Sequence, residues 1–374
     1  MRVCHVITGL GDGGAEVVLY RLCTHPQPQV QHVVIALGPE DKYAPMLRAA
    51  GVETHCLGWS RRGVPVGAAL SLVRLLAAQR PDVVQTWMYH ANLVGGLAAR
   101  LARSPRVIWG LHHTHLTPAT SRTRTRVVNR LCAWLSSTVP SGIVACADTV
   151  RTIHEQDGYS RHKFVVVTNG CNTWDFRPDD EAGLAVRRAL AIDAHALVVG
   201  FVGRWHADKD HANLLAAFAR VVRHYPEARL LLVGKACRPD NAALAAQIEQ
   251  SGVGGAVLPL GPRTDVAAVM NALDLHVLPS SSEAFPNVVA EAMACGTPCV
   301  VTDVGDAAVI AGPVGWVVPP RDPARLAAAM DDALARRSDA AAWRTRQDAV
   351  RQRIVSEFSL ERMVQRYHAA WGQA

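Results

Sequence analysis

The chain has no apolar stretch long enough to span a bilayer. The uncharged runs 83–99 and 131–147 are 17 residues each, short of the ~20 a spanning helix needs. The first is broken by Gln85, His90 and Asn92, the second by Pro140 and several serines. The start, MRVCHVITGL, lacks a cationic segment, a long apolar run and a small-residue cleavage site, so no secretory signal is expected. The 9 cysteines contain no C-x-x-C pair and no zinc spacing; the nearest two are Cys295 and Cys299. Free thiols in a reducing cytoplasm are therefore expected. Charge is modest at 19% beside 49% hydrophobic residues, which excludes a disordered chain. Lysine is scarce, with 35 arginines against 4 lysines.

What is present fits two domains, since 374 residues exceed one domain of ~150. The net charge of +7 lies wholly in residues 1–180, with 19 basic and 12 acidic side chains, whereas 181–374 carries 20 of each. Such a basic half suits anionic lipid, an acidic substrate or nucleic acid; compositional drift in an arginine- and alanine-rich chain would give it too.

Short apolar runs alternate with helical patterns, as in parallel α/β sheets. In the first half the strands are expected at 3–7, 32–37, 82–87, 106–111, 142–146 and 164–168, with helices at 15–23, 67–79 and 92–103. The rhythm restarts with strands at 197–203, 228–234, 256–261, 275–279 and 298–302, and helices at 213–224, 241–251 and 287–295. The charged, weakly patterned stretch 176–195 reads as a linker, and 324–342 as an alanine-rich helix. The expected fold class is α/β: two Rossmann-like doubly wound domains facing a cleft at the carboxyl ends of their strands, where open α/β sheets bind ligands.

Four constellations fall on such strand ends. Gly9-Leu10-Gly11-Asp12-Gly13-Gly14, ahead of Glu16, contains G-x-G-x-x-G after a strand and before a helix. An NAD(P)-dependent oxidoreductase is therefore one reading, and another phosphate or sugar ligand at a helix N-terminus is the other. Gly203-Arg204 with Lys209 puts two cations on one loop, a bidentate fork and a point charge that suit a diphosphate. The competing reading is a loop lysine paired to Asp208 or Asp210. Glu283 precedes a helix that Pro286 is placed to open as its first residue, leaving N–H groups at Asn287 and Val288 for an anion, with Glu291 further along. Two carboxylates eight residues apart, one in a loop and one on a helix, can address two ends of one ligand. His112, His113 and His115 follow a strand. Successive strand residues face opposite ways, so a polar site histidine is expected there rather than a metal, and no second ligand cluster completes a shell.

Together GGAE near the start, PDVV with YHANL, VTNGCNTWDF, GRW with Lys209 and PSSSEAFPNVVAEAMACGTPCVVTDVG resemble the retaining glycosyltransferases of family 4, which have the GT-B fold. The resemblance is colinear over residues 3–323, and FSLERMVQRYHAAW (358–371) resembles the family's last helix. It implies an acceptor domain over 1–176, joined by a crossover helix at 357–374, and a donor domain over 177–356. It implies no cofactor and no metal, only a nucleotide-diphosphate sugar as donor. By the same resemblance Arg204 and Lys209 match the cations on the donor diphosphate, and Glu283 the glutamate at the donor sugar. Glu291 matches the glutamate on the ribose, and Phe285, Pro286, Asn287 and Val288 the segment around the donor. His112 matches the histidine near the reaction centre, with His113 as the alternative, and Gly13 and Gly14 match the glycine turn facing donor phosphate and acceptor.

The chain departs from the family's pattern in three places. Ala284 stands where glycine is usual, Ala147 where serine is usual, and Ala307 follows Asp306 where a glutamate is frequent. The acceptor implied is a glycan or lipid-linked glycan for cell-surface polysaccharide. Arg122, Arg126 and Arg130 repeat at i, i+4, with Arg124 among them and Leu131, Trp134 and Leu135 after. As a helix this gives a basic face suited to peripheral contact with the inner face of an anionic membrane; Arg61 and Arg62 add to the same basic half. A solvated arginine face is the alternative. Nucleic acid is not expected, because no base-reading motif accompanies the charge.

Overall fold

The structure is a computed structural model that describes residues 1–59, 66–114, 123–193 and 195–372. The chain divides into two compact units, Met1–Gly170 with Leu360–Ala374, and Cys171–Ser359. Arg61, Arg62, His115 and Arg122 lie outside the described residues.

In chain order the first unit holds β1 (Arg2–Ile7), α1 (Gly14–Thr24), β2 (Gln31–Ala36), α2 (Tyr43–Ala49), β3 (Glu53–Cys56), α3 (Val66–Gln79), β4 (Val83–Trp87), α4 (Met88–Leu101), β5 (Arg106–Leu111), α5 (Thr123–Leu135), β6 (Gly142–Ala145), α6 (Asp148–Gln156) and β7 (Phe164–Val166). The second holds α7 (Asp180–Ala189), β8 (Val198–Val202), α8 (His211–His224), β9 (Arg229–Val233), α9 (Ala242–Ser251), β10 (Val257–Gly261), α10 (Val266–Ala272), β11 (Leu275–Leu278), α11 (Asn287–Ala294), β12 (Cys299–Thr302), α12 (Ala307–Ala311), β13 (Trp316–Val318), α13 (Pro323–Arg336) and α14 (Ala340–Glu357). The last helix, α15 (Leu360–Gly372), belongs to the first unit.

Both sheets are parallel, ordered β3-β2-β1-β4-β5-β6-β7 and β10-β9-β8-β11-β12-β13. The strands are near-continuous apolar runs because helices cover both faces of such sheets, and Val83–Trp87 and Val198–Val202 are buried throughout. Each order reverses beside its first strand, between β1 and β4 and between β8 and β11. The crevice outside the carboxyl ends at such a switch point is where doubly wound sheets take ligands.

Four expectations need correction. The supposed linker contains α7, capped by Asp179, which accepts from Ala182 N. Asp180, Glu181 and Arg188 face solvent while Gly183 and Val186 are buried, and ten residues are too few for a clear period. Arg187 ties it down, donating to Ala272 O at 2.8 Å, Ala196 O at 3.2 Å and Asp274 Oδ2 at 2.9 Å. Two short edge strands escaped the apolar-run search, β3 because ETHC is polar and β13 because WVV has three residues. The alanine-rich stretch is broken, with α13 ending at Arg336 and α14 starting after its own cap, Asp339. Pro286 is the N-cap of α11, not its first helical residue.

Helix α15 completes the first unit's core. Leu360, Met363, Val364, Tyr367 and Trp371 are buried against β1, β2 and β4 residues, the i, i+3, i+4, i+7 stripe of an amphipathic helix. Trp371 Nε1 donates to Gln85 Oε1 at 3.1 Å, and Arg366 donates to Thr168 Oγ1 at 2.6 Å.

Candidate active site

The second unit's switch point brings Lys209 and Glu283 together. Lys209 lies on the loop after β8 and Glu283 on the loop after β11, the two strands on either side of the reversal. Lys209 Nζ donates to Glu283 Oε1 at 2.5 Å, and the buried Ser280 donates through Oγ to the same oxygen at 2.7 Å. The lysine's partner is thus neither Asp208 nor Asp210. Asp208 instead holds the β11 loop, its carbonyl accepting from Ser281 N at 2.8 Å. Asp210 caps α8 by accepting from Asn213 N, in a left-handed conformation with φ 45°. The pair is largely covered, with 20% and 11% of the two side chains exposed, so water screens it little.

Arg204, one residue past Gly203, is exposed and has no ion pair among the described residues. Its loop is set by close backbone contact. Gly234 has φ +143°, and a Cβ there would stand 2.2 Å from Gly203 O, so only glycine lets the ends of β8 and β9 meet. Gly305 does the same for the other loop: at φ +55°, its Cβ would lie 2.4 Å from Glu283 O. Asp306 N donates to Ala284 O at 2.9 Å. Ser280, Gly234 and Gly305 are site residues that the sequence reading missed. The serine sat inside the motif PSSSE, and the glycines become distinctive only once strand ends are neighbours.

On α11 the first N–H groups, at Asn287 and Val288, have no intrahelical carbonyl to bond and lie at the positive end of the dipole. Phe285 and Pro286 are buried just before them, and Glu291 is buried on the same helix. Beneath the cationic loop, His211 is buried against Phe201 and Trp205, ring centroids 4.9 and 4.5 Å away. Burial, and then the charge of Lys209, push its pKa down to about 4.

In the first unit, His112 directly follows β5 and stacks on Trp87 at 4.9 Å and 20°. Both its ring nitrogens are buried and without a hydrogen-bond partner among the described residues. Burial lowers its pKa to about 4, so the ring is a neutral imidazole at pH 7. His113 differs: its Nδ1 lies 3.3 Å from Thr114 O. Gly13 is the N-cap of α1 and Gly14 its first residue. A Cβ at Gly9 or Gly14 would meet nothing within 4 Å, so two of the three fingerprint glycines are not demanded by close approach. Ala147, where a hydroxyl is missing, is the N-cap of α6 and makes no side-chain cap bond.

One trio among the described residues has metal-ligand character, the buried His5, Cys23 and His32, with ligand atoms within 4.8 Å of one another. Its hydrogen bonds oppose a metal. Trp87 Nε1–H donates to His5 Nδ1 at 3.2 Å, so that nitrogen carries the lone pair and Nε2 carries the proton, pointed at His32 Nδ1 2.9 Å away. Burial also drives the Cys23 pKa well up, keeping the sulfur a thiol.

Comparison with known proteins fits this geometry. Residues 12–175 match the family described as "Glycosyltransferase Family 4", and residues 196–336 the one described as "Glycosyl transferases group 1". The D-inositol 3-phosphate glycosyltransferase of Segniliparus rotundus is 42% identical over 147 residues, covering 38% of this chain and 32% of that protein. This match therefore spans about a third of that relative's length. The UDP-Gal:alpha-D-GlcNAc-diphosphoundecaprenol alpha-1,3-galactosyltransferase of Escherichia coli is 26% identical, over 81% of this chain and 80% of that one. Among solved structures, Anabaena HepE in complex with UDP superposes with a TM-score of 0.86 over 99% of both chains, at 22% identity.

Proposed function

The chain belongs to the glycosyltransferases of family 4, with the GT-B fold, and on that premise we propose that it is a retaining enzyme moving a sugar from a UDP- or GDP-sugar to a glycan or lipid-linked glycan acceptor in cell-surface polysaccharide synthesis. The observation that carries the proposal is the convergence of Lys209, Glu283 and Ser280 at the second unit's switch point. In this proposal the exposed Arg204 grips the diphosphate bidentately and Lys209 adds a point charge. Together they stabilise the departing nucleoside diphosphate without a metal. Glu283 faces the transferred sugar, Glu291 takes the ribose hydroxyls, and the α11 N-terminus with Phe285, Pro286, Asn287 and Val288 lies along the donor. Gly13, Gly14 and His112 are the first-unit residues to which the family resemblance gives substrate contact.

The reaction breaks the bond from the anomeric carbon to the diphosphate and forms one from that carbon to an acceptor hydroxyl oxygen. The hydroxyl proton passes to the departing diphosphate. Charge builds on the leaving oxygens, so fixed cations that strengthen as it builds lower the barrier. The E. coli relative's name, a galactosyl transfer to a lipid diphosphate, supports the acceptor class. Determining the anomeric configuration of the product by NMR, with and without EDTA, tests the proposal. The donor's configuration should be kept and the rate should survive chelation; inversion, or loss of rate restored by a divalent ion, would contradict it. The oxidoreductase reading is set aside on the family matches and on the open space at Gly9 and Gly14.

A further inference from the structure

Helix α5 carries its large apolar side chains outward. At about 100° of rotation per residue, Val127, Leu131 and Trp134 share a sector roughly 60° wide, and they are 49%, 43% and 76% exposed. Arg124 and Arg130 stand about 60° to either side of Val127, just outside the two edges of that stripe, with Arg126 beyond Arg130. The face turned inward is small and partly polar, made of Asn129, Cys132 and Ala133. Single exposed apolar residues need no explanation, but an i, i+4, i+7 stripe bordered by cations does. The neighbouring α4, which packs on α5, adds exposed Leu97 and Leu101, themselves i, i+4.

Acidic side chains are few on this side of the unit, where Asp157 accepts from Asn129 on the inward face of α5. Between Glu53 and Asp148 the chain carries eleven arginines and one acidic residue, Asp82, whose carboxylate accepts from Arg2 N. A second copy of the chain docked on the same face would set the outward arginines of α5 against each other, so self-association through this face is disfavoured. Aliphatic side chains with an indole between guanidinium groups match the boundary of an anionic bilayer, where tryptophan sits at headgroup depth and arginine among phosphates. No described helix is long and apolar enough to cross a membrane, so a helix lying in the surface is the fitting arrangement.

We propose that α5, with the adjoining end of α4, docks the protein on an anionic membrane, Trp134, Leu131 and Val127 entering the headgroup–acyl boundary and Arg124, Arg126 and Arg130 pairing with lipid phosphates. This refines the expected basic face, since the arginines border an apolar stripe rather than form the face themselves. The proposal rests on the function above only in making the membrane the place where a lipid-linked acceptor is met.

The full chain sedimented with vesicles of phosphatidylcholine, with and without phosphatidylglycerol, gives the test. Binding is expected to the phosphatidylglycerol vesicles alone, falling as salt shortens the screening length. Arg124→Glu with Arg130→Glu should weaken it roughly 25-fold or more, about fivefold per charge. Trp134→Gln should weaken it severalfold while circular dichroism and nucleotide-sugar hydrolysis stay at the parent level. No binding to phosphatidylglycerol vesicles, unchanged binding by these variants, or capture of RNA in place of vesicles overturns the proposal. Failure here with hydrolysis intact leaves the transferase function standing. Vesicle binding by a protein that hydrolyses no nucleotide sugar supports the surface and contradicts the function.

Discussion

Lys209 Nζ and Ser280 Oγ donate to one oxygen of Glu283, so the group proposed for the donor diphosphate and the group proposed for the donor sugar neutralise each other. A nucleoside diphosphate that takes Lys209 must compete with Glu283 for it. Glu283→Gln should therefore hold or tighten binding of bare UDP or GDP while lowering turnover by about 100-fold or more. Calorimetry beside a hydrolysis assay reads both. Parallel losses in the two would contradict a sugar-side role for Glu283.

Removing either cation should act on binding. Arg204→Ala and Lys209→Ala should each weaken nucleoside diphosphate binding by about 1.5–3 kcal/mol, the range for hydrogen bonds to charged groups. Only Lys209→Ala also leaves the mostly covered Glu283 with Ser280 but without its cationic partner, so it alone should lower thermal stability. Isothermal titration and melting curves of the two variants separate the effects.

Gly305 should tolerate no side chain. A Cβ there meets Glu283 O at 2.4 Å from a φ of +55°, so Gly305→Ala should destabilise by about 1–3 kcal/mol. It should also lower kcat by displacing the Glu283 loop. Denaturant unfolding and kinetics measure the two; an alanine variant with parental kcat would show that the loop position does not matter.

Acid should destabilise the protein through its buried histidines. Burial lowers the pKa of His276 to about 3 and those of His112 and His211 to about 4, against ~6.5 in the unfolded chain. Between those values the unfolded state takes up protons that the folded state refuses, so stability is full above about pH 6.5 and falls as pH drops toward 4. The melting temperature should follow that curve, and His276→Gln should flatten it. A melting temperature that is level from pH 7 to 4 would contradict burial of these rings.

The tie on α7 should matter to the second unit. Arg187 and Asp274 are 12% and 9% exposed at the side chain, and breaking such a buried pair costs about 3–5 kcal/mol. Asp274 keeps Arg337 and Val198 N as partners, so Arg187→Met should fall at or below the low end. Urea unfolding of the variant checks this.

Much of the fold was legible because parallel strands buried on both faces are unbroken apolar runs, as at Val198–Val202. Edge strands lack that mark, and ETHC at β3 reads as loop until its neighbour β2 is in place. Helix α7 was hidden because its surface charges outnumber its two buried residues. At the site, Arg204, Lys209, Glu283 and Glu291 stood out by residue type and spacing. Their connection did not, because Lys209 and Glu283, 74 positions apart, are brought together by the β8–β11 pairing. The roles of Gly234 and Gly305 depend on backbone approach between loops, which no local pattern encodes.

The most direct test of the central claim is the release of nucleoside diphosphate from a panel of UDP- and GDP-sugars, run beside thermal shifts with UDP, GDP and NAD(H). The account predicts that one sugar nucleotide is slowly hydrolysed by the parent protein and not by Glu283→Gln, and that its nucleoside diphosphate raises the melting temperature. Stabilisation by NAD(H) alone, with no sugar nucleotide hydrolysed, would contradict it.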